Sequence, residues 1–127
     1  MGERPGPDAE ASLEMALAQF RALGERFGIS LALSELGDFI ALRGEFARAC
    51  EHYEQAIAVI TEVGAVEDVI GLRTRQALLY WLDGDYAASA AAIAEAERCA
   101  DGVTWPYALV ELALAKAELA RPARSAR

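Results

Sequence analysis

Apolar residues recur at three- and four-residue steps along most of the chain, the period of an α-helix with one buried face. In 46–63, for example, Phe46, Tyr53, Ala56 and Ile60 fall on one side. The same spacing predicts helices over 8–23, 27–43, 46–63, 67–82 and 86–100, and a sixth that runs to about Arg121. No stretch alternates as a strand does, so the predicted fold class is all-α with about six helices.

Turn-forming residues separate these segments. Gly64 can take the left-handed conformation that ends a helix, and Asp83-Gly84-Asp85 is a turn signal. Thr104 is expected to cap the last helix, with Pro106 in its first turn, where a missing N–H is harmless. Links this short predict that neighbouring helices pack antiparallel.

The sequence matches itself after a shift of 40 residues. Gly44-Glu45-Phe46 falls on Gly84-Asp85-Tyr86, and small residues coincide at Gly37, Ala77 and Ala117. A repeated pair of helices stacks with a constant rotation. The repeat therefore predicts antiparallel helix hairpins arranged as a right-handed α-solenoid.

The repeat resembles the tetratricopeptide repeat family. The residues that carry the resemblance are Leu36-Gly37, Gly44, Ala49, Tyr53 and Ala56 in one copy and Tyr80, Gly84, Ser89, Ile93 and Ala96 in the next. The likeness covers about residues 9–121. The segment 23–57 is also similar to the long-period repeats of large actinobacterial transcriptional regulators, in which they form a sensor or partner-binding arm.

This resemblance implies a function as a binding scaffold without catalysis. In the family the first helix of each pair lines a concave face that holds a protein or peptide. Carried over by position, the candidate partner-binding residues are Ser34, Asp38, Thr74, Leu78, Trp81, Glu111 and Glu118. Ser34, Asp38 and Thr74 replace the Lys and Asn that grip a terminal carboxylate in some members. An acidic groove favours a basic or an apolar ligand instead.

Two alternatives remain open for this face. Trp81 and Leu78 could anchor a partner, since aromatic residues dominate binding hot spots, or Trp81 could pack against the next helix or a second copy. The other function is a sensor whose pocket around Trp81 closes on a small molecule or peptide. An enclosed apolar pocket would favour the sensor.

Composition and charge limit the classes of function. The chain has 127 residues and a net charge of −8, which suits one domain over 1–127, ordered over about 8–121 with tails at 1–7 and 122–127. A negative surface argues against direct nucleic-acid binding. No apolar run reaches the roughly 20 residues of a membrane helix, and no secretory signal precedes the first helix. We therefore expect a cytoplasmic protein, and the resemblance to actinobacterial regulators implies a bacterial one.

The residues that most often carry chemistry are few and scattered. His52 lies near Cys50, but residues two apart on a helix point in different directions. Cys99 is expected to be a core residue, and both thiols are expected to be reduced. The sequence predicts no catalytic group, no metal and no cofactor.

The two end helices carry apolar residues that a following helix would normally cover. These are Leu13, Leu17 and Phe20 in the first helix and much of 107–120 in the last. Uncovered apolar faces predict self-association, so we expect a homodimer formed through an end helix. The aromatic residues of 105–107 are expected to cap the core of the solenoid.

Overall fold

A computed structural model describes residues 7–103 and 106–121. They form six α-helices and, within those ranges, no strand. The helices are α1 (Pro7–Leu23), α2 (Arg26–Leu42), α3 (Phe46–Val63), α4 (Val66–Leu82), α5 (Tyr86–Ala100) and α6 (Pro106–Leu119). The all-α prediction is confirmed, and the apolar period located nearly every helix end to within one residue. The predicted tails lie outside the described residues except for Pro7, and so do Thr104 and Trp105.

The helix starts follow the predicted 40-residue repeat. Helices α2, α4 and α6 begin 40 residues apart, and so do α3 and α5. Gly44 and Gly84 occupy equivalent turns with φ of 81° and 84°, a left-handed conformation that only glycine adopts without strain. Consecutive helices pack on one another, and α4 also contacts α6. The right-handed solenoid stays a prediction.

The main core lies where α2, α3 and the first half of α4 meet. Leu33, Leu36, Tyr53, Ile60 and other apolar residues are almost fully buried there. A second cluster joins α4, α5 and α6 through Ile70, Ala96, Ala108 and Leu112. Each apolar stripe is therefore buried both by the partner helix of its own pair and by a helix of the neighbouring pair.

The first helix departs from expectation. Leu17 is 4% exposed, and Leu13 and Phe20 pack against the main core. The prediction that these three residues form an uncovered surface was wrong, because α1 turns them towards α2 and α3. The exposed side of α1 carries Ser12, Glu14 and Gln19 together with Met15.

Small residues let α2 and α3 approach closely. A Cβ added at Gly37 would lie 2.6 Å from Cε1 of Tyr53, closer than real carbon contacts allow. The Tyr53 ring therefore packs directly on the backbone of α2, and its hydroxyl donates to Asp38. Burial and the neighbouring Asp38 carboxylate raise the pKa of Tyr53, so this phenol stays protonated.

Polar side chains join α3 to α4 on the other side of the core. Arg73 Nη1 donates to Glu54 Oε1 over 2.7 Å and to Gln76 Oε1 over 2.8 Å. Gln76, 1% exposed, donates from Nε2 to the Cys50 carbonyl oxygen over 3.1 Å and to Glu54 over 3.0 Å. Because a buried amide must be paired, these bonds favour one register between the two helices.

Replacing Gly37 by Ala is expected to lower the free energy of unfolding by roughly 1–3 kcal/mol, since the new methyl group overlaps Tyr53. The matched control is Gly71→Ala, where the new Cβ would meet only the flexible end of Glu111, at 3.1 Å. There the better helix propensity of alanine is expected to leave stability unchanged or raise it by up to about 1 kcal/mol. Urea unfolding measures both. Equal effects at the two sites would contradict the close packing at Gly37.

The Arg73–Glu54 pair is expected to make stability depend on pH. The hydrogen bond from Arg73 holds the pKa of Glu54 below its usual value of 4.5. Its contribution is therefore fully present above pH 4.5 and is lost as the pH falls through the lowered pKa. Since Glu54 is partly exposed, Glu54→Gln is expected to cost less than about 1 kcal/mol near neutrality. Urea unfolding at about pH 7 and about pH 3 should show this cost shrinking with acid; a cost that grows would refute the role of the pair.

Candidate functional site

A cleft of about 380 Å³ lies between the first halves of α2 and α4, with α6 at one end. We call it the α2–α4 cleft. One wall is apolar, the opposite wall is charged, and the floor is made of buried side chains. The floor residues are Ser30, Ser34, Ile60 and Leu72.

The apolar wall comes from α2. Phe27 and Leu31 are 53% and 62% exposed although both are large and apolar. They lie four residues apart and therefore one above the other on the helix. Glu25 fixes the start of this wall, because its carboxylate accepts hydrogen bonds from the backbone N–H groups of Phe27 and Gly28. The wall thus offers a fixed apolar surface to the cleft.

The charged wall comes from α4 and α6. Glu67 and Asp68 stand in the first turn of α4, where the helix dipole stabilises carboxylates. Glu111 reaches the cleft from α6 because Gly71 has no side chain in its way. Among the described residues, these three carboxylates have no ion-pair or hydrogen-bonding partner.

The positive charge of Arg75 offsets part of the negative charge of this wall. Its side chain lines the cleft, with Nη1 3.8 Å from Asp38 Oδ1. That distance gives a weak, solvent-screened pair. The cleft wall therefore keeps an excess of negative charge.

The polar part of the floor consists of two serines. Ser34 donates its hydroxyl to the Ser30 carbonyl oxygen over 2.8 Å, and Ser30 donates to the Ala56 carbonyl oxygen over 3.2 Å. The hydroxyl protons of Ser30 and Ser34 are thus both donated to backbone carbonyl oxygens of the protein. A ligand in the cleft would meet the oxygen lone pairs of these side chains, which accept hydrogen bonds.

A second groove of about 490 Å³ runs between the C-terminal half of α4, α5 and α6. Trp81 and Tyr86 line it, their rings packed edge to face with centroids 6.3 Å apart. Lys116 crosses it to Glu97, with Nζ and Oε2 2.6 Å apart. Tyr86 is 61% exposed, so this groove is open to solvent.

The structure divides the predicted site residues between several environments. Ser34 and Glu111 line the α2–α4 cleft, and Asp38 adjoins it through Arg75. Thr74 is 2% exposed and donates to the Gly71 carbonyl oxygen over 2.7 Å, so it offers nothing to a ligand.

The remaining predicted residues lie away from the α2–α4 cleft. Trp81 belongs to the second groove. Leu78 is half-buried and borders neither opening, and Glu118 is exposed with Arg121 Nη1 3.4 Å away. The seven positions thus do not form one continuous surface.

Sequence reasoning missed five of the cleft residues, namely Phe27, Leu31, Glu67, Asp68 and Arg75. Glu67 and Asp68 also suit the start of a helix, so their position in the sequence does not by itself indicate a site. The available signal was the pair Phe27 and Leu31, which keeps the helical step but falls outside the stripe of Leu33, Leu36 and Ile40. An apolar pair on a second face of a helix indicates a surface beyond the core.

Cys50 and His52, which lie two residues apart in the sequence, have different surroundings and do not share a site. Cys50 is buried, and its thiol lies 3.8 Å from the Gln76 carbonyl oxygen. His52 Nδ1 lies instead 3.0 Å from the Arg48 carbonyl oxygen on the surface of α3. Across the described ranges, no group of three His, Cys, Asp or Glu residues is placed to hold a metal ion. No helix within the same ranges is long and apolar enough to cross a membrane.

No protein-family model, no curated protein and no solved structure matches this chain. The likeness to tetratricopeptide repeats consequently remains a resemblance in sequence pattern. The use of the α2–α4 cleft has to be inferred from its own geometry and charge.

Cys50 is expected to resist alkylation. Burial, helped by nearby carboxylates, raises the pKa of its thiol to about 11, so only about one molecule in a thousand carries the thiolate at pH 8. A Cys99→Ala variant leaves Cys50 as the single thiol and should take up iodoacetamide only after unfolding. Mass spectrometry of native and urea-treated protein measures this, and rapid labelling of the native variant would show that Cys50 is accessible.

Proposed function

We propose that this protein is a binding module without catalytic activity, built from tetratricopeptide-like helix pairs, that holds a peptide segment of another protein in the α2–α4 cleft. The observation that carries the proposal is the pairing of an exposed apolar wall, Phe27 and Leu31, with a wall of three carboxylates whose negative charge Arg75 offsets only in part. An extended or helical segment has the shape to lie between two helices.

The charge of the cleft selects the kind of peptide. The cleft is lined by three carboxylates, those of Glu67, Asp68 and Glu111, and by the guanidinium of Arg75. Part of the positive charge of Arg75 is already offset by Asp38, 3.8 Å away. A segment that carries Arg or Lys on one side and Leu-like residues on the other would satisfy both walls. An acidic segment would be repelled, since like charges across an interface are unfavourable.

The cellular setting of this module follows from the resemblance alone. In large actinobacterial transcriptional regulators, similar repeats act as a sensor or partner-binding arm. We place the protein, as a proposal, in the bacterial cytoplasm, where it serves such a regulator either as one of its parts or as a separate partner.

The second groove supports a different function less well. Trp81 and Tyr86 give it an aromatic surface for a small molecule. Small-molecule sites, however, enclose most of their ligand, whereas Tyr86 is 61% exposed here. A peptide module is therefore favoured over a small-molecule sensor.

Selection from a phage library of short random peptides tests this function. Peptides that combine Arg or Lys with large aliphatic residues are expected to be enriched. In fluorescence anisotropy, a variant with Glu67→Gln, Asp68→Asn and Glu111→Gln should bind such a peptide at least roughly tenfold more weakly.

The matched control removes three exposed carboxylates elsewhere, through Glu14→Gln, Glu51→Gln and Asp101→Asn. Its net charge equals that of the cleft variant, so it should lose far less affinity if the cleft is the site. Equal losses in the two variants, or enrichment of acidic peptides, would refute the proposed cleft.

A further inference from the structure

The charged side chains of the α2–α4 cleft are separated along its length. Asp68, Gly71 and Arg75 follow one another at steps of three and four residues on α4, so they form one stripe, and all three line the cleft. Asp68 and Arg75 are two helical turns apart, which is about 10 Å along the helix axis. The stripe therefore begins with a carboxylate, has a glycine without a side chain near its centre and ends with a guanidinium.

The facing wall on α2 runs in the same direction as this stripe. Helices α2 and α4 are each antiparallel to α3, because residue numbers rise along both of them as the numbers of the α3 residues that they contact fall. The contacts that show this are Arg26–Glu62 and Gly37–Tyr53 for α2, and Arg73–Glu54 and Gln76–Cys50 for α4. Phe27 therefore lies level with the first turn of α4, and Asp38 lies level with Arg75.

The two ends of the cleft consequently differ in charge. Phe27 stands at one end together with the carboxylates of Glu67 and Asp68, and we call this the Phe27 end. The Arg75 end, two turns away, holds the only cationic side chain among the described residues that line the cleft. Leu31 lies between the two ends, one turn after Phe27. A ligand therefore meets negative charge, an apolar surface and then positive charge as it follows the cleft.

The guanidinium of Arg75 is available to a ligand. The Arg75 side chain is 45% exposed, and its N–H groups donate no hydrogen bond to another residue of the described ranges. Its partner Asp38 also accepts a hydrogen bond from the Tyr53 hydroxyl, so Asp38 remains paired if Arg75 turns towards a ligand. A carboxylate on the ligand could take two parallel hydrogen bonds from the planar guanidinium, which the 3.8 Å contact with Asp38 does not provide.

We propose, as an extension that rests on the function proposed above, that the α2–α4 cleft selects a segment with two opposite charges about 10 Å apart. The basic residue of the segment lies at the Phe27 end, against Glu67 and Asp68. The acidic residue lies at the other end and pairs with Arg75, and an aliphatic residue between them packs on Leu31. The separation corresponds to about three residues in an extended segment and about seven in a helical one. Arg75 thus determines which way round the segment binds.

Peptides selected on the wild-type protein are expected to carry Asp or Glu at one of these two distances from their Arg or Lys. One such peptide is compared with its amide version, in which Asn or Gln replaces that acid. In fluorescence anisotropy the wild-type protein should bind the amide version roughly two- to fivefold more weakly, as expected for a partly exposed ion pair. Arg75→Gln should bind both peptides equally. Because each protein is tested with both peptides, a change in net charge or the release of Asp38 affects the two affinities alike.

The matched control is Arg98→Gln, which removes an exposed arginine of α5 that does not line the cleft. This variant should keep the full preference for the acidic peptide, and far-UV circular dichroism should show both variants folded. If Arg75→Gln keeps the preference, or if the selected peptides need no acid, the charge order is overturned while peptide binding stands. A wild-type protein that binds no selected peptide would instead refute the proposed function, and this inference with it.

Discussion

The packing of α2 on α3 through a glycine is the contact on which the rest of the structure depends. With the Tyr53 ring directly on the backbone at Gly37, the two helices lie too close for any side chain at that position. This closeness buries the serines of α2 beneath α3 and leaves Phe27 and Leu31 on another face of α2, facing α4. The α2–α4 cleft therefore depends on how closely α2 and α3 pack.

Sequence periodicity predicted the helices well because apolar residues recur at helical steps and the first five helices end at a glycine or an aspartate turn. The ends of α3 and α5 were predicted to the residue. Of the residues predicted for the concave face, Ser34 and Glu111 line the α2–α4 cleft, whereas Trp81 lines another groove. The missing information was the separation of α2 from α4, since spacing along one helix does not give the distance between two.

Burial explains two further differences between the sequence pattern and the structure. Thr74 falls on the predicted face, but its hydroxyl bonds to the Gly71 carbonyl oxygen of its own helix, which lets it point into the protein. Leu13, Leu17 and Phe20 were predicted to be uncovered, yet Leu17 is buried and the other two pack against the main core. A repeat aligned by sequence shows which residues are equivalent, and only the packing shows which of them are covered.

The two hydroxyl bonds between helices, Ser30 to Ala56 and Ser89 to Ala77, have a mechanical consequence. A one-turn slide of α2 along α3, or of α5 along α4, would strand a buried hydroxyl without an acceptor. These bonds therefore favour each helix pair, α2 with α3 and α4 with α5, moving as a rigid unit. The α2–α4 cleft lies between the two pairs, and the polar contacts of Arg73 and Gln76 join α3 to α4. A change in the width of the cleft is then expected to come from rotation of one pair against the other about those contacts.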